Sequence, residues 1–522
     1  MSLGLGSDFG RVETLCVGAL AFFLIFIFLP PVYVLTYAFG AGGLDDHGTR
    51  ALINSFTVAF VVTVVDLLIG LPVSWILARG RGLRFRQALD TLIDMPLVVP
   101  TAVLGISTYY FWGDGVGSLL GVEGGLIGKG PILLALLHIV FTFPYVVRSI
   151  VAAISQLDRN HEQAATMLGA PPFTVFRTIS LPLFRAGVVS GAVLAFTRSL
   201  SETGATLMVA GLYSTAPTTV VALKKAGDIS SAAAVSAALI ASAVIVLLAA
   251  RLLSGGFRVP VVHVWPQAER TLGRGGMGVR DVISAFAVAS LVLAPTFYIV
   301  LKGVGSVHQA AFVSLISDWT LLSSIIVSFV LGFAVTAINL AVALPLALLV
   351  SRNIFRAGPA VELLSEVILI VPTSALGLSI ALFWGHLKLA EPLMLVFAHL
   401  SFTFPLMLKP IAAAFSAVDP GLEEVARTLG ARRLTVFKTV VYPLIRPAIV
   451  AGVIMTFMRS LSETGATLSV SDKVKTVPVL LVDAFMGGKV DDKTTLACIL
   501  LFTASFILIM ALKAADKKNA KR

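Results

Sequence analysis

Cysteine is almost missing from this chain. Two residues, Cys16 and Cys498, stand among 522, which excludes a disulfide framework and any cysteine metal site, and both fall in apolar runs as small fillers. Charge is scarce as well, at 13% of residues, too little for the solvated surface of an ordinary soluble domain. No Gly-x4-Gly-Lys-Ser/Thr run occurs, so the chain has no phosphate-cradling loop and cannot be its own ATPase. No His, Asp and Glu set has the spacing of a metal site, and no His, Asp or Cys residues converge at one membrane face as an embedded enzyme requires.

What is present is grease. Hydrophobic residues make up 57% of the chain and mean hydropathy is +0.96. Apolar runs near the length needed to cross a bilayer recur throughout. They predict helices at 15–39, 52–78, 92–113, 131–156, 186–210 and 231–253, then at 282–303, 322–350, 360–384, 391–416, 447–470 and 494–513. The fold class expected is all-α and polytopic, with about 12 membrane helices. The first run is too long for a signal-peptide core and lacks a small-residue cleavage site, so it counts as helix one.

A net charge of +11 invites a nucleic-acid reading, but its distribution answers to topology. With the N-terminus inside, the basic residues gather on alternate loops, as the positive-inside rule requires. Arg79, Arg81, Arg84 and Arg86 share one such loop, Arg352 and Arg356 another, and Lys513, Lys517 and Lys518 lie in the tail. Both termini are then cytoplasmic.

The chain repeats itself. Glu162-Gln163-Ala164-Ala165-Thr166-Met167-Leu168-Gly169-Ala170 returns as Glu423-Glu424-Val425-Ala426-Arg427-Thr428-Leu429-Gly430-Ala431, 261 residues later. Val99-Pro100-Thr101 pairs with Val371-Pro372-Thr373, and Phe111-Trp112-Gly113 with Phe383-Trp384-Gly385, both at 272. His138 and Phe141-Thr142-Phe143-Pro144 match His399 and Phe402-Thr403-Phe404-Pro405 at 261. The change of offset places a shorter outside loop in the second copy, around 115–130 of the first. Six spans per copy make parallel repeats, related by an axis along the membrane normal. The divisions are 1–253, a Gly-, Pro- and Arg-rich cytoplasmic linker at 254–281, and 282–522.

Asp158 and Asp419 are placed to cap short helices, with Pro420 at a first helical position. Gly169 and Gly430 stand where a left-handed residue ends a helix. Each loop, 158–183 and 419–444, therefore holds a helix of about ten residues, too short to persist alone in water. Glu162, Ala164, Ala165 and Gly169, followed by Ile179, Leu181 and Pro182, resemble the E-A-A–x3–G–x9–I–x–L–P signature of binding-protein-dependent ABC importer permeases. Glu423 or Glu424, Ala426, Gly430 and Pro443 resemble it in the second copy, with Val425 and Tyr442 in place of the small residue and the Leu. The resemblance covers most of both copies and implies a fused double permease of the type I importer class. It also implies that the two loops are coupling helices and that two copies of a cytoplasmic ATPase, carrying ATP and Mg, dock on them. This chain itself binds no cofactor. A solute-binding protein delivers the cargo outside, membrane lipid surrounds the chain, nucleic acid is no partner, and the setting is the inner membrane of a prokaryote.

Ionisable residues also occur within the spans. Arg198-Ser199-Leu200-Ser201-Glu202-Thr203-Gly204-Ala205-Thr206 repeats as Arg459-Ser460-Leu461-Ser462-Glu463-Thr464-Gly465-Ala466-Thr467. The i, i+4 spacing puts each Arg and Glu on one helix face, about 6 Å apart along the axis. Charges at such depth usually face a bundle interior or a wet path. Two readings stand side by side: self-neutralising pairs that lock helices, and a gate on the pathway shared by the copies. The run resembles the R-x-L-G-E-F-G-A-T stretch of molybdate, tungstate and sulfate permeases, with Ser201 and Ser462 for its Gly and Thr203 and Thr464 for its Phe. The fused architecture resembles iron(III) and thiamine permeases instead. An oxyanion is the preferred cargo. An ion-driven secondary transporter of six-plus-six type is the rival mechanism. His138 and His399 read as satisfied core groups, and Asp66, Asn339, Asp94 and Glu366 as polar residues at helix ends or in packed interiors.

Overall fold

The computed structural model describes residues 5–40, 43–80, 83–119, 125–256, 265–271, 277–303, 313–314, 317–352, 356–488 and 490–519. Every regular element among them is helical. The first repeat contributes α1 (Glu13–Gly40), α2 (Asp46–Arg79), α3 (Arg86–Leu97), α4 (Thr101–Ser118) and α5 (Pro131–Ser155). It continues with α6 (Arg159–Met167), α7 (Pro172–Ser201), α8 (Gly204–Val209), α9 (Ala216–Lys225) and α10 (Ile229–Ala249). The second repeat follows the same order: α11 (Val279–Gly303), α12 (Trp319–Ser351), α13 (Gly358–Ile370), α14 (Thr373–Gly385) and α15 (Glu391–Ala417). It ends with α16 (Pro420–Thr428), α17 (Arg433–Leu461), α18 (Gly465–Val470), α19 (Val477–Met486) and α20 (Asp492–Asn519).

Among the described residues, nine helices are long and apolar enough to cross a membrane, or eleven when each bent pair counts as one span. The helix α20 holds the place of a sixth span in the second repeat. Expected boundaries fail at two kinds of place. The single helices expected at 92–113 and 360–384 are bent pairs, turned by 105° and 108°. Pro100 and Pro372 sit at the corners with extended backbone, and Val371 ahead of Pro372 is extended too. A residue before proline is driven out of the α region, and the missing N–H removes a helical bond. The expected helix 186–210 likewise stops at Ser201, where Glu202 turns to ψ 133°, and resumes as α8. The arms that follow the proline corners are burial sites: Thr101–Thr108 and Thr373–Ile380 are buried without a break.

The first helix of each repeat packs on the other repeat. Cys16 Sγ reaches Pro345 O (3.4 Å), Phe23 meets Phe404 at 5.3 Å, and Phe26 stacks on Trp384 at 5.1 Å. In return α11 lies along α4, where Ser107 inserts its hydroxyl into the helical ladder of α11. That hydroxyl donates to Pro295 O and accepts from Ile299 N (2.9 Å). One core accordingly joins α1 and α10 to the second repeat, and another joins α11, α19 and α20 to the first. Lipid tails are as apolar as these side chains, so dispersion contacts and the Ser107 bonds, rather than the hydrophobic effect, hold the exchanged helices.

Candidate functional site: two exposed loops and a buried ion-pair layer

The helices α6 and α16 project from one end of the bundle. Asp158 caps α6 by accepting from Asn160 N (3.0 Å), and Asp419 caps α16 by accepting from Gly421 N (2.8 Å). Gly169 and Gly430 end them with φ of 85° and 88°, a left-handed conformation that costs a residue with a Cβ about 1 kcal/mol or more.

The two motif glutamates are anchors. Glu162 pairs with Arg79 at the end of α2 (3.3 Å) and accepts from Ser180 Oγ (3.2 Å). Glu423 pairs with Arg352 just past α12. Each arginine also donates to a backbone carbonyl ahead of its loop helix, Leu157 O and Val418 O (3.2 and 3.3 Å). The anchors were missed in the sequence, where Arg79 and Arg352 served only the charge bias. Their shared offset with Leu71-Pro72 and Leu344-Pro345 was the available signal.

Among the side chains that α6 and α16 leave outward are large apolar ones. Met167, Leu168 and Leu429 are 87%, 89% and 83% exposed, and Val425 joins them. Ala164 and Glu424 are exposed beside these residues, whereas Ala165 and Ala426 are half-buried. The short helix Pro266–Thr271 packs on the first loop. Its buried Glu269 accepts from Thr174 Oγ1, from Arg177 (2.8 Å) and from Trp265 N (3.3 Å). Hydrogen bonds from Thr174 first, then from Trp265 and Arg177, hold this carboxyl below the usual carboxylate range. Two stretches of the expected linker, 257–264 and 272–276, lie outside the described residues.

Deeper in the bundle each Arg–Glu pair forms within its own repeat. Arg198 meets Glu202 at 2.7 Å and Arg459 meets Glu463 at 2.6 Å, with both carboxylates buried. The pairs bridge the helix breaks. Glu202 also accepts from Ala205 N (3.2 Å) and Glu463 from Ala466 N (2.9 Å), capping α8 and α18. The arginine planes sit over Phe141 (4.8 Å) and Phe402 (5.0 Å). His138 bonds Ser199 Oγ (2.7 Å) and Thr206 Oγ1 (3.0 Å), and His399 bonds Ser460 and Thr467 (2.9 and 3.0 Å), so each imidazole staples the same break.

At this level the closest approach across the interface is uncharged. A Cβ on Gly204 would lie 1.9 Å from Thr464 Oγ1, and one on Gly465 would lie 2.6 Å from Thr203 Oγ1. Only glycine admits this approach. The structure thus brings Thr203-Gly204 and Thr464-Gly465 together, with the charges one step behind.

Residues 70–259 and 343–515 both match the family described as binding-protein-dependent transport system inner membrane component. The chain is 41% identical over 163 residues to the molybdenum transport system permease protein ModB of Mycobacterium tuberculosis, covering 31% of this chain and 61% of that relative. It is 35% identical over 174 residues to the protein of the same name from Escherichia coli, covering 31% and 72%. It is 29% identical over 203 residues to the molybdate/tungstate transport system permease protein WtpB of Methanocaldococcus jannaschii, covering 38% and 79%. The chain thus spans about three fifths of the mycobacterial relative's length.

Proposed function

The chain belongs to the family of binding-protein-dependent transport system inner membrane components, as two fused permease repeats in a multi-pass membrane protein, and from that premise we propose that it is the membrane subunit of an ATP-driven importer for a tetrahedral oxyanion such as molybdate, tungstate or sulfate. The names of its relatives favour that cargo over iron(III) or thiamine. Membership of a transport family whose subunits act with a binding protein speaks against the ion-driven six-plus-six mechanism and against an enzyme.

The observation that carries the reading is the pair of apolar knobs on two capped helices, Met167-Leu168 and Leu429 with Val425, in which Leu168 and Leu429 hold the same repeat position. Exposed apolar surface on a helix too short to stand alone calls for a partner. Two copies of an ATPase, carrying ATP and Mg, dock there, and this chain binds no cofactor. That end of the bundle is cytoplasmic, both termini lie on it, and a solute-binding protein delivers cargo at the opposite end of a prokaryotic inner membrane. The repeats 1–253 and 282–522 each supply one knob, with 254–281 between them.

Force has a rigid route inward. The Arg79–Glu162 and Arg352–Glu423 pairs tie each knob to α2 or α12. From the knobs, α7 and α17 run on to the Arg–Glu pairs. Breaking a buried ion pair costs about 3–5 kcal/mol, so a cycle that opened these pairs would work against a large barrier. Each pair closes within one repeat, and the repeats meet through Thr203-Gly204 and Thr464-Gly465. The pairs therefore lock the helix ends, and the threonine–glycine contact is the part that parts. Charging the knobs tests the reading: with Met167→Asp, Leu168→Asp and Leu429→Asp combined, the ATPase subunit ceases to co-purify and uptake stops. Co-purification and uptake at wild-type levels would overturn it.

A further inference from the structure

A cavity of about 270 Å³ opens between the repeats, lined by Ala186, Ser190 and Leu194 of α7, Leu247 of α10, Glu366 of α13 and Lys409 of α15, among others. It lies on a track. Ala186, Ser190, Leu194, Arg198 and Glu202 succeed one another at i+4, one row of α7 and the turn that follows it, so the cavity wall leads straight to the locked pair beside the threonine–glycine contact. Ser190 is exposed there, and its hydroxyl makes no hydrogen bond among the described residues. A serine, a carboxylate and an ammonium exposed within membrane-spanning helices mark a wet space rather than a lipid face.

The same positions in the first repeat are clamped by ion pairs. Asp90, Asp94 and Arg148 correspond to Glu362, Glu366 and Lys409. Arg148 is spent on its neighbours: Nε to Asp94 (2.6 Å), one terminal nitrogen to Asp90 Oδ1 (2.5 Å) and the other to Asp90 O (2.6 Å). Lys409 touches Glu366 alone among the described residues, at 3.4 Å, and keeps 41% side-chain exposure. A guanidinium clamped by two carboxylates is a strut, whereas an ammonium on a flexible stem with one long contact has donors to spare.

Resting on the oxyanion reading above, we propose that this cavity is a transit site for the anion below the threonine–glycine contact, with Lys409 and Ser190 as its donors. Lys409 Nζ and Ser190 Oγ donate to the oxyanion, while Glu366 competes for the same ammonium and keeps the stay short. A conducting path needs sites that bind well enough to enter and weakly enough to leave. The first repeat has no such spare cation at Arg148, so the site is single and off the two-fold axis.

The test uses the full complex with its ATPase and binding protein in proteoliposomes. Ser190→Cys gives a thiol for a membrane-impermeant methanethiosulfonate, and the native Cys16 and Cys498 are buried. Molybdate or sulfate slows labelling of Cys at 190, Lys409→Gln weakens that protection about tenfold, Lys409→Arg retains it, and Glu366→Gln strengthens it. Absence of labelling, or protection indifferent to Lys409 and Glu366, overturns the site. Should Lys409→Gln fail to assemble, the retained protection of Lys409→Arg and the strengthened protection of Glu366→Gln decide alone. Wild-type uptake of molybdate and sulfate is scored separately. Uptake without Lys409-dependent protection sinks the transit site only, whereas no oxyanion uptake at all sinks the substrate reading.

Discussion

The two repeats share a fold and differ in how tightly each is tied. In the first, Arg148 is clamped by two carboxylates, Arg79 and Glu162 are 11% and 17% exposed in their side chains, and Glu269 straps the loop behind α6. In the second, Lys409 has one loose contact, Arg352 and Glu423 are 21% and 31% exposed, and no linker carboxylate reaches Thr435 or Lys438 among the described residues. The outer edge repeats the lesson. Lys224 of the first repeat bonds Asp472 (2.6 Å), while Phe485, its counterpart, lies under Lys129 (4.6 Å). Duplication preserves the frame that both copies need. Covalent fusion then lets each copy drift toward its own task, because neither must also fit a copy of itself.

The comparison breaks hardest where the copies touch. Gly204→Val and Gly465→Val each force a branched side chain into the threonine facing it. Overpacking of about 1–3 kcal/mol shifts a two-state contact by ~5–150-fold, so uptake in proteoliposomes falls steeply while basal ATP hydrolysis rises. Gly204→Val is the worse, because its Cβ approach is the shorter. Equal, wild-type uptake in both would deny the contact any part in transport.

Next come the anchors. Arg79→Ala leaves Glu162 without its cation in a nearly buried site, at a cost of about 3 kcal/mol. Arg352→Ala does the same at a more solvated site and costs about 1–2 kcal/mol after screening. ATP hydrolysis coupled to uptake separates them: both variants uncouple, the first more. The reverse order would mean that burial does not rank the two anchors.

The strap is a smaller effect. Glu269→Gln loosens only the first loop, and hydrogen exchange at 171–180 rises toward the level of 432–441. Because hydrogen bonds and Arg177 depress the Glu269 carboxyl, the strap is fully formed above the ordinary carboxylate range near ~4.3. It is lost as pH falls through the lower folded value. A fluorophore at position 267 reports that release, and insensitivity to acid would place the linker's hold elsewhere. Least of all, Lys224→Ala removes an outer ion pair worth about 0–1 kcal/mol. The melting temperature of the complex hardly moves, and a large drop would make that pair a structural keystone.

Much of this was legible beforehand, for local reasons. The loop helices declare themselves through Asp158, Asp419, Gly169 and Gly430, since caps and left-handed ends depend on neighbours in sequence. The Arg–Glu pairs follow from i, i+4 spacing, and the satisfied state of His138 and His399 from their apolar settings. The right-angle corners at Pro100 and Pro372 were underestimated as parts of straight spans, because a proline states that a helix is disturbed but not by how much. The break after Ser201 carries no proline at all. It persists because Glu202 accepts from Ala205 N and because His138, from another helix, bonds the hydroxyls of Ser199 and Thr206 on either side of the break.

By itself, then, the order of residues decided that this is a helical membrane chain built twice over, with one capped knob and one internal charge pair per copy. Those properties come from hydropathy, spacing and short-range hydrogen bonds. Only the tertiary structure decided that the first helices change places, that Arg79 and Arg352 hold the motif glutamates, that glycine meets threonine across the interface, and that Lys409, unlike Arg148, has donors to spare. Each of these joins residues tens to hundreds of positions apart, and which of many equally apolar faces meet is settled by packing shape, which no single segment encodes.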